Sequence, residues 1–209
     1  SDPNDVAHIL EAYSLLGQEP PNKDKLFQYL NATQGADGTW NTGRPHYVPN
    51  TAHVLMQYKR YGVNPKKSLD PFLSTIDTWD KVYTHVKTYD TGNYWGGLWG
   101  YVTVYVVYKS QPPPWTSEFL NAVDQYFDNW AYDNHQRNHV AGMLYELSKP
   151  LPRKEEVLSL ILQQQHPDGG WPWSRTVRTN SETDDTSISI LVLRTLFNPA
   201  DPQIASAID

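Results

Sequence analysis

Three carboxylates crowd into one short stretch, Glu182, Asp184 and Asp185, just ahead of an apolar run through Ile188, Ile190, Leu191, Leu193 and Leu196. Carboxylates this close can share a proton and hold it ready for transfer. The same acids stand where the first backbone N–H groups of a helix need acceptors, so a helix cap reads from them as well. His135 and His139 are four apart on an expected helix, a spacing that turns both toward one metal. No third ligand stands out, and a polar helix start is the favoured reading. His46, with Arg44 and Tyr47 beside it, marks a candidate substrate loop. Arg175 and Arg178 would either grip a diphosphate or offset the acidic cluster, and the second is favoured. Tyr94, Trp95, Trp99 and Trp173 offer flat apolar faces to a ligand or a cation, whereas Trp40 and Trp171 read as packing. Nothing in this set calls for a cofactor or a bound metal.

The acids need a scaffold, and the stretch from Leu160 to Leu196 reads as helix, turn, aromatic loop, acidic start and helix. Pro167, Asp168, Gly169 and Gly170 end the first helix, and Trp171 and Trp173 follow at once. Leu26 to Gly62 repeats the order, with Gln34, Asp37, Gly38 and Trp40 at the turn and a helix carrying Ala52, Leu55, Met56 and Tyr58 behind it. An internal repeat decides the fold class more firmly than local propensity does. Further helices are expected over Asp5–Leu16, Lys23–Gln34, Asn50–Tyr61, Ser68 to about Lys87, Thr116–Trp130, His135–Leu147, Arg153–Gln165 and Ser187–Phe197. Trp99–Tyr108 is β-branched and aromatic, which favours a strand, but the repeat requires a helix there. Helices starting at Lys23, Ser68, Thr116 and Arg153 are amphipathic and those starting at Asn50, Trp99, His135 and Ser187 more apolar, as outer and inner helices of a curved array would be. The expectation is an all-α fold, an (α/α) helical-hairpin array forming part or all of an α/α-toroid. One domain covers residues 1–198, with a C-terminal tail over 199–209.

Composition narrows the partners. The net charge is −6 and no basic cluster exceeds two or three residues, which argues against a nucleic-acid face. The longest apolar run, Gly97 to Val107, is too short to span a membrane. No signal peptide is visible, so a cytoplasmic location is favoured, although a leader or preceding domain could be missing before Ser1. With no cysteine, thiolate metal sites, disulfides and thiol nucleophiles are excluded. The 8 Trp, 14 Tyr and 5 Phe suit an aromatic-lined concavity and equally a sugar-binding surface.

The turns resemble the QW repeat of squalene-hopene cyclases and of the wider prenyltransferase and terpene cyclase α/α-toroid superfamily. Tyr29-Leu30, Gln34 and Gly38-Thr39-Trp40 match that motif fully, and Leu160-Ile161, Gln165 and Gly169-Gly170-Trp171 match with Leu in the aromatic place. Tyr89 to Trp95 and Asp128 to Asp133 look like degenerate copies. Glu182-Thr183-Asp184-Asp185-Thr186 is similar to the Asp-x-Asp-Asp-Thr segment of class II terpene cyclases. The resemblance implies that Asp184 protonates an alkene or epoxide, with Glu182 and Asp185 as its supports, and that aromatic faces shelter the resulting cations. It implies a hydrophobic isoprenoid substrate and allows peripheral membrane contact. A closed toroid has six helix pairs, so the four hairpins and one helix expected here imply a dimer or a partner chain completing the ring.

Three functions stay open at this point: a terpene cyclase-like isomerase working without metal, a binding or scaffold module of the same fold, and a carbohydrate-active (α/α) protein. Fold alone does not choose among them.

Overall fold

The computed structural model describes residues 2–40, 48–89, 94–174 and 180–209. Among them the chain is all-helical, with twelve helices and no strand. It divides into two compact units, residues 1–116 and 117–209.

The first unit opens with α1 (Pro3–Leu15). Asp2 caps it by accepting from the Asn4 N–H at 2.8 Å, and Pro3 occupies a position where its missing N–H costs nothing. Then come α2 (Lys23–Thr33), α3 (Val48–Arg60), α4 (Asp70–Leu73), α5 (Trp79–Tyr89) and α6 (Tyr94–Lys109). Helix α3 packs on both α1 and α6. Ten residues of α6 are buried, which is why its β-favouring side chains form a helix that is apolar almost all round. Gly100 lets α6 approach closely, since a Cβ there would lie 2.6 Å from the Pro49 backbone nitrogen at the start of α3.

The helix expected over Ser68–Lys87 is broken between α4 and α5. Ser74 and Thr75 turn their hydroxyls back on the carbonyls of Pro71 and Phe72, each at 2.7 Å, and so compete with continuation of the helix.

In the second unit α7 (Thr116–Gln125) and α8 (Phe127–Trp130) divide what was expected as one helix. They lead into α9 (Asn134–Glu146), α10 (Lys154–Gln163), α11 (Thr183–Leu196) and α12 (Pro202–Ile208). Helix α12 occupies the region read as a tail, capped by Asp201 and anchored by buried Ile204 and Ala207. Helix α9 packs against α8 and α11, and α11 also meets α12. No helix among the described residues is long and apolar enough to cross a membrane.

Candidate functional site

The acidic segment is placed by a turn that the molecule builds twice. In the first copy the buried Trp40 indole N–H donates to the Leu30 carbonyl at 2.7 Å, and its backbone N–H donates to Thr51 Oγ1 at 2.9 Å. In the second, Trp171 donates to the Ile161 carbonyl at 2.8 Å and to Thr186 Oγ1 at 2.9 Å. Gln34 Nε2 reaches the carbonyls of Gly38 and Lys67, both at 2.9 Å, while Gln165 Nε2 reaches those of Gly169 at 2.9 Å and Ala207 at 2.8 Å. Gly38 at φ +89° and Gly169 at φ +84° take the left-handed conformation that glycine tolerates best. Each glutamine thus ties its turn to the segment following the next helix, and each tryptophan fills the space below.

The two copies differ where the side chain of the turn aspartate is satisfied. Asp37 Oδ1 accepts from the Thr39 hydroxyl at 2.8 Å. Gly170 stands in the place of Thr39 and has no hydroxyl, so Ser181 supplies one, donating to Asp168 Oδ1 at 2.6 Å. This bond, with the Gly170 N–H, holds the Asp168 carboxyl below the usual carboxylate range. A Cβ on Gly170 would fall 2.5 Å from the Ser181 Cβ, so the glycine makes room for the serine.

Thr186 fixes the rotation of α11, and with it the fate of the acids. Asp185, Ser189, Val192 and Leu193 form the buried stripe, at i, i+4, i+7 and i+8. Asp184 falls off that stripe and is exposed. Glu182 is the half-buried cap residue of α11, yet its side chain makes no capping bond. The Asp185 carboxylate does not cap the helix either. Its Oδ1 lies 2.9 Å from Nδ1 of His135, with the Asp185 side chain 2% exposed and that of His135 17% exposed. Which of the two donates depends on the tautomer of the imidazole.

His135 is positioned from both sides. Its backbone N–H donates to the Trp173 carbonyl at 3.0 Å, and the two rings lie 5.6 Å apart. The His139 ring lies edge-to-face one turn along α9, 4.4 Å away. Beneath them is a buried polar layer. Asn134 Nδ2 donates to the Pro172 carbonyl at 2.9 Å, and Asn138 Nδ2 donates to Ser189 Oγ at 2.8 Å. Arg137 is fully buried and gives its guanidinium to Asn134 Oδ1, to the Ala131 carbonyl and to Gln164 Oε1. Burial pushes this arginine down to about 9. His135 and this layer were missed as partners of the acids. The available signal was Asn134, Arg137 and Asn138 at i, i+3 and i+4, a spacing that places three polar side chains on one face of the helix.

Tyr94, Trp95 and Trp99 belong to α6 of the first unit. Trp95 is buried and meets the Tyr94 ring at 5.1 Å, while Trp99 is half-buried against His53 at 4.9 Å. His46, Tyr47, Arg44, Arg175 and Arg178 lie outside the described residues. Among the described residues no group of three His, Cys, Asp or Glu is arranged to hold a metal ion. Two surface grooves, of about 760 Å³ between α10 and α12 and about 540 Å³ beside α2, are lined by neither Asp185 nor His135.

The arrangement sets a buried carboxylate against an imidazole beside an aromatic ring. No family model, curated protein or solved structure matches this chain.

Proposed function

We propose that the chain is a terpene cyclase-like protein of the α/α-toroid superfamily, in which Asp185, paired with His135, protonates a linear prenyl substrate to start its cyclisation. The observation that carries this reading is the contrast between two equivalent positions. Asn50 and Asp185 are each the third residue of the helix behind the turn, each directly before the threonine that holds the tryptophan. The turn is built equally well with an amide there, so packing does not require the charge. A buried carboxylic acid facing an imidazole suits protonation of a weak base such as an alkene, which needs a dry, oriented donor. The proton leaves the Asp185 carboxyl for an alkene carbon or epoxide oxygen. The carboxylate left behind is held by His135, and the Trp173 face lies nearby for the cation. Asp184, exposed and one position off the buried stripe, is not the donor in this reading.

The test is product analysis with a panel of linear prenyl compounds: squalene, oxidosqualene, geranylgeranyl diphosphate and a prenylated aromatic. Wild type and Asp184→Asn are expected to yield cyclic product. Asp185→Asn is expected to lose about 10²- to 10⁴-fold in rate. Activity surviving in Asp185→Asn and lost in Asp184→Asn would reverse the assignment.

A binding module without chemistry is the second reading, favoured by one observation. The Asn138–Ser189 bond continues the contact between α9 and α11 one turn beyond His135–Asp185, so the pair is also a rung in a polar helix interface. Under that reading no panel member is turned over and Asp185→Asn alters stability alone.

A further inference from the structure

We propose that Arg137 is a positioning residue that acts through Asn134: its guanidinium fixes which way the Asn134 amide points, and that amide holds the segment of Pro172 and Trp173 against His135. This rests on the reading of Asp185 with His135 as the site. A guanidinium buried without a carboxylate partner is costly, so its place in the core calls for a reason. Among the described residues Arg137 is fully buried and bonds to neutral oxygens: Asn134 Oδ1, Gln164 Oε1 at 2.9 Å and the Ala131 carbonyl at 3.0 Å. The Asp133 carboxylate caps the helix instead, accepting from the Gln136 N–H at 3.1 Å.

These bonds give the network a direction. A guanidinium only donates, whereas an amide has a donor end and an acceptor end. With their oxygens turned to Arg137, both amides turn their N–H₂ groups outward. Asn134 Nδ2 donates to the Pro172 carbonyl at 2.9 Å, and Gln164 Nε2 to the Tyr132 carbonyl at 3.0 Å. A reversed Asn134 amide would set its oxygen against the Pro172 carbonyl. The guanidinium is the main group that prevents the reversal, since Asn138 Nδ2 and Ser189 Oγ approach the same oxygen only to 3.4 Å.

The segment held in this way is the one that completes the site. The Trp173 carbonyl accepts from the His135 backbone N–H at 3.0 Å, and the Trp173 ring lies 5.6 Å from the His135 ring. His135 is the second residue of α9, where the helix itself supplies no acceptor for a backbone N–H. The protection of this N–H from exchange therefore reports how firmly the segment is seated on α9.

The closing experiment needs no substrate and compares two variants that each give Arg137 a carboxylate. Asn134→Asp removes the donor to Pro172, whereas Gln164→Glu removes the donor to Tyr132. Hydrogen exchange of the His135 backbone N–H, followed by NMR, is expected to speed up about tenfold in Asn134→Asp, the equivalent of one hydrogen bond, and to keep the wild-type rate in Gln164→Glu. The amides of residues 140–144, inside α9, report the stability of the helix and are expected to exchange no faster in either variant. In Arg137→Met, His135 is expected to gain about tenfold in rate over those interior amides. Equal acceleration at His135 and at the interior amides in Arg137→Met marks a purely structural arginine and overturns the proposal. So does unchanged His135 exchange in Asn134→Asp, which decides the question if Arg137→Met fails to fold. The prenyl panel reads separately. Faster His135 exchange in Asn134→Asp without turnover of any prenyl compound keeps the positioning role and discards the assigned substrate. Turnover lost in Asp185→Asn with unchanged His135 exchange in Asn134→Asp keeps the acid and discards the positioning role.

Discussion

Each unit holds a cluster of two histidines, a tryptophan and a carboxylate, and the two clusters differ in where the carboxylate sits. In the first unit His8 and His53 lie 4.8 Å apart, Trp99 meets His53 at 4.9 Å, and Glu11 lies 3.6 Å from His8. Glu11 is partly open to water and also pairs with Arg60 at 3.3 Å. Its carboxyl is held below the usual range, chiefly by the His8 hydrogen bond and then by Arg60. In the second unit the carboxylate is sealed in the core, and its ion-pair partner among the described residues is His135. A carboxylate anchored by an arginine at a wet rim stays an anion and serves as a tether. The buried one instead meets an imidazole nitrogen at 2.9 Å, away from water. The two carboxylates thus differ in burial and in partner.

The strongest way to test the shared scaffold is to remove its pillars. Trp40→Ala and Trp171→Ala should each cost about 3–5 kcal/mol in urea-induced unfolding, because both rings are fully buried and hydrogen-bonded. Clearly unequal losses would break the equivalence of the copies. The turn glycines should sharpen the comparison. Gly38→Ala should cost about 3 kcal/mol, since positive φ is joined by a Cβ that would fall 2.2 Å from the Ser68 carbonyl oxygen. Gly169→Ala should cost only about 1 kcal/mol, because its positive φ is not accompanied by any atom within 4 Å. Thermal midpoints of the two variants decide the order.

Acid should act on the first unit through His53. Burial, then the neighbouring His8 charge, pushes this histidine down to about 4, with Glu11 opposing. Above pH 6.5 it is neutral in folded and unfolded chains, and its environment costs nothing. Between 6.5 and about 4 the unfolded chain binds a proton that the folded chain refuses, so stability falls with pH, by at most about 3 kcal/mol. Below about 4 the loss levels off. Urea titrations at pH 7.5, 6 and 5 should show a shallower decline in His53→Gln than in wild type, with the range kept above the region where Glu11 titrates. The smallest effect expected is an exchange between equivalent positions. Asp185→Asn should change stability by about 1 kcal/mol, because the amide oxygen still accepts from His135. A loss of several kcal/mol would show that the charge serves packing after all.

Much of this was legible from residue spacing. The helix expected over Trp99–Tyr108 from the repeat, despite its β-favouring residues, lies within α6, which starts earlier, at Tyr94, in what read as a loop; Gln34, Trp40, Gln165 and Trp171 lie at turns between helices, as expected. The breaks after α4 and α7 were hidden, because single hydroxyl-to-carbonyl bonds and a one-residue bend leave little trace in apolar periodicity. The acidic segment stood out in the sequence, but which of its acids is buried did not. An apolar run that looks uniform conceals its rotation, and here Thr186 and Ser189 set that rotation and turn Asp185 inward. His135 lies 50 residues away along the chain, so only the packing of α9 on α11 could reveal it.

The serine that replaces a threonine hydroxyl also closes a neck. Pro172 and Ser181 pair across it, the Glu182 N–H donates to the Trp171 carbonyl at 2.9 Å, and Ser181 is fastened to Asp168. The tryptophan-to-threonine interval is 15 residues here against 11 in the first copy, and the tryptophan and threonine contacts are the same. The longer interval therefore leaves those contacts unchanged. Because the fastening is made by residues on either side, segments of different length and composition should be accepted between Ser174 and Asn180 with the packing around Trp171 intact.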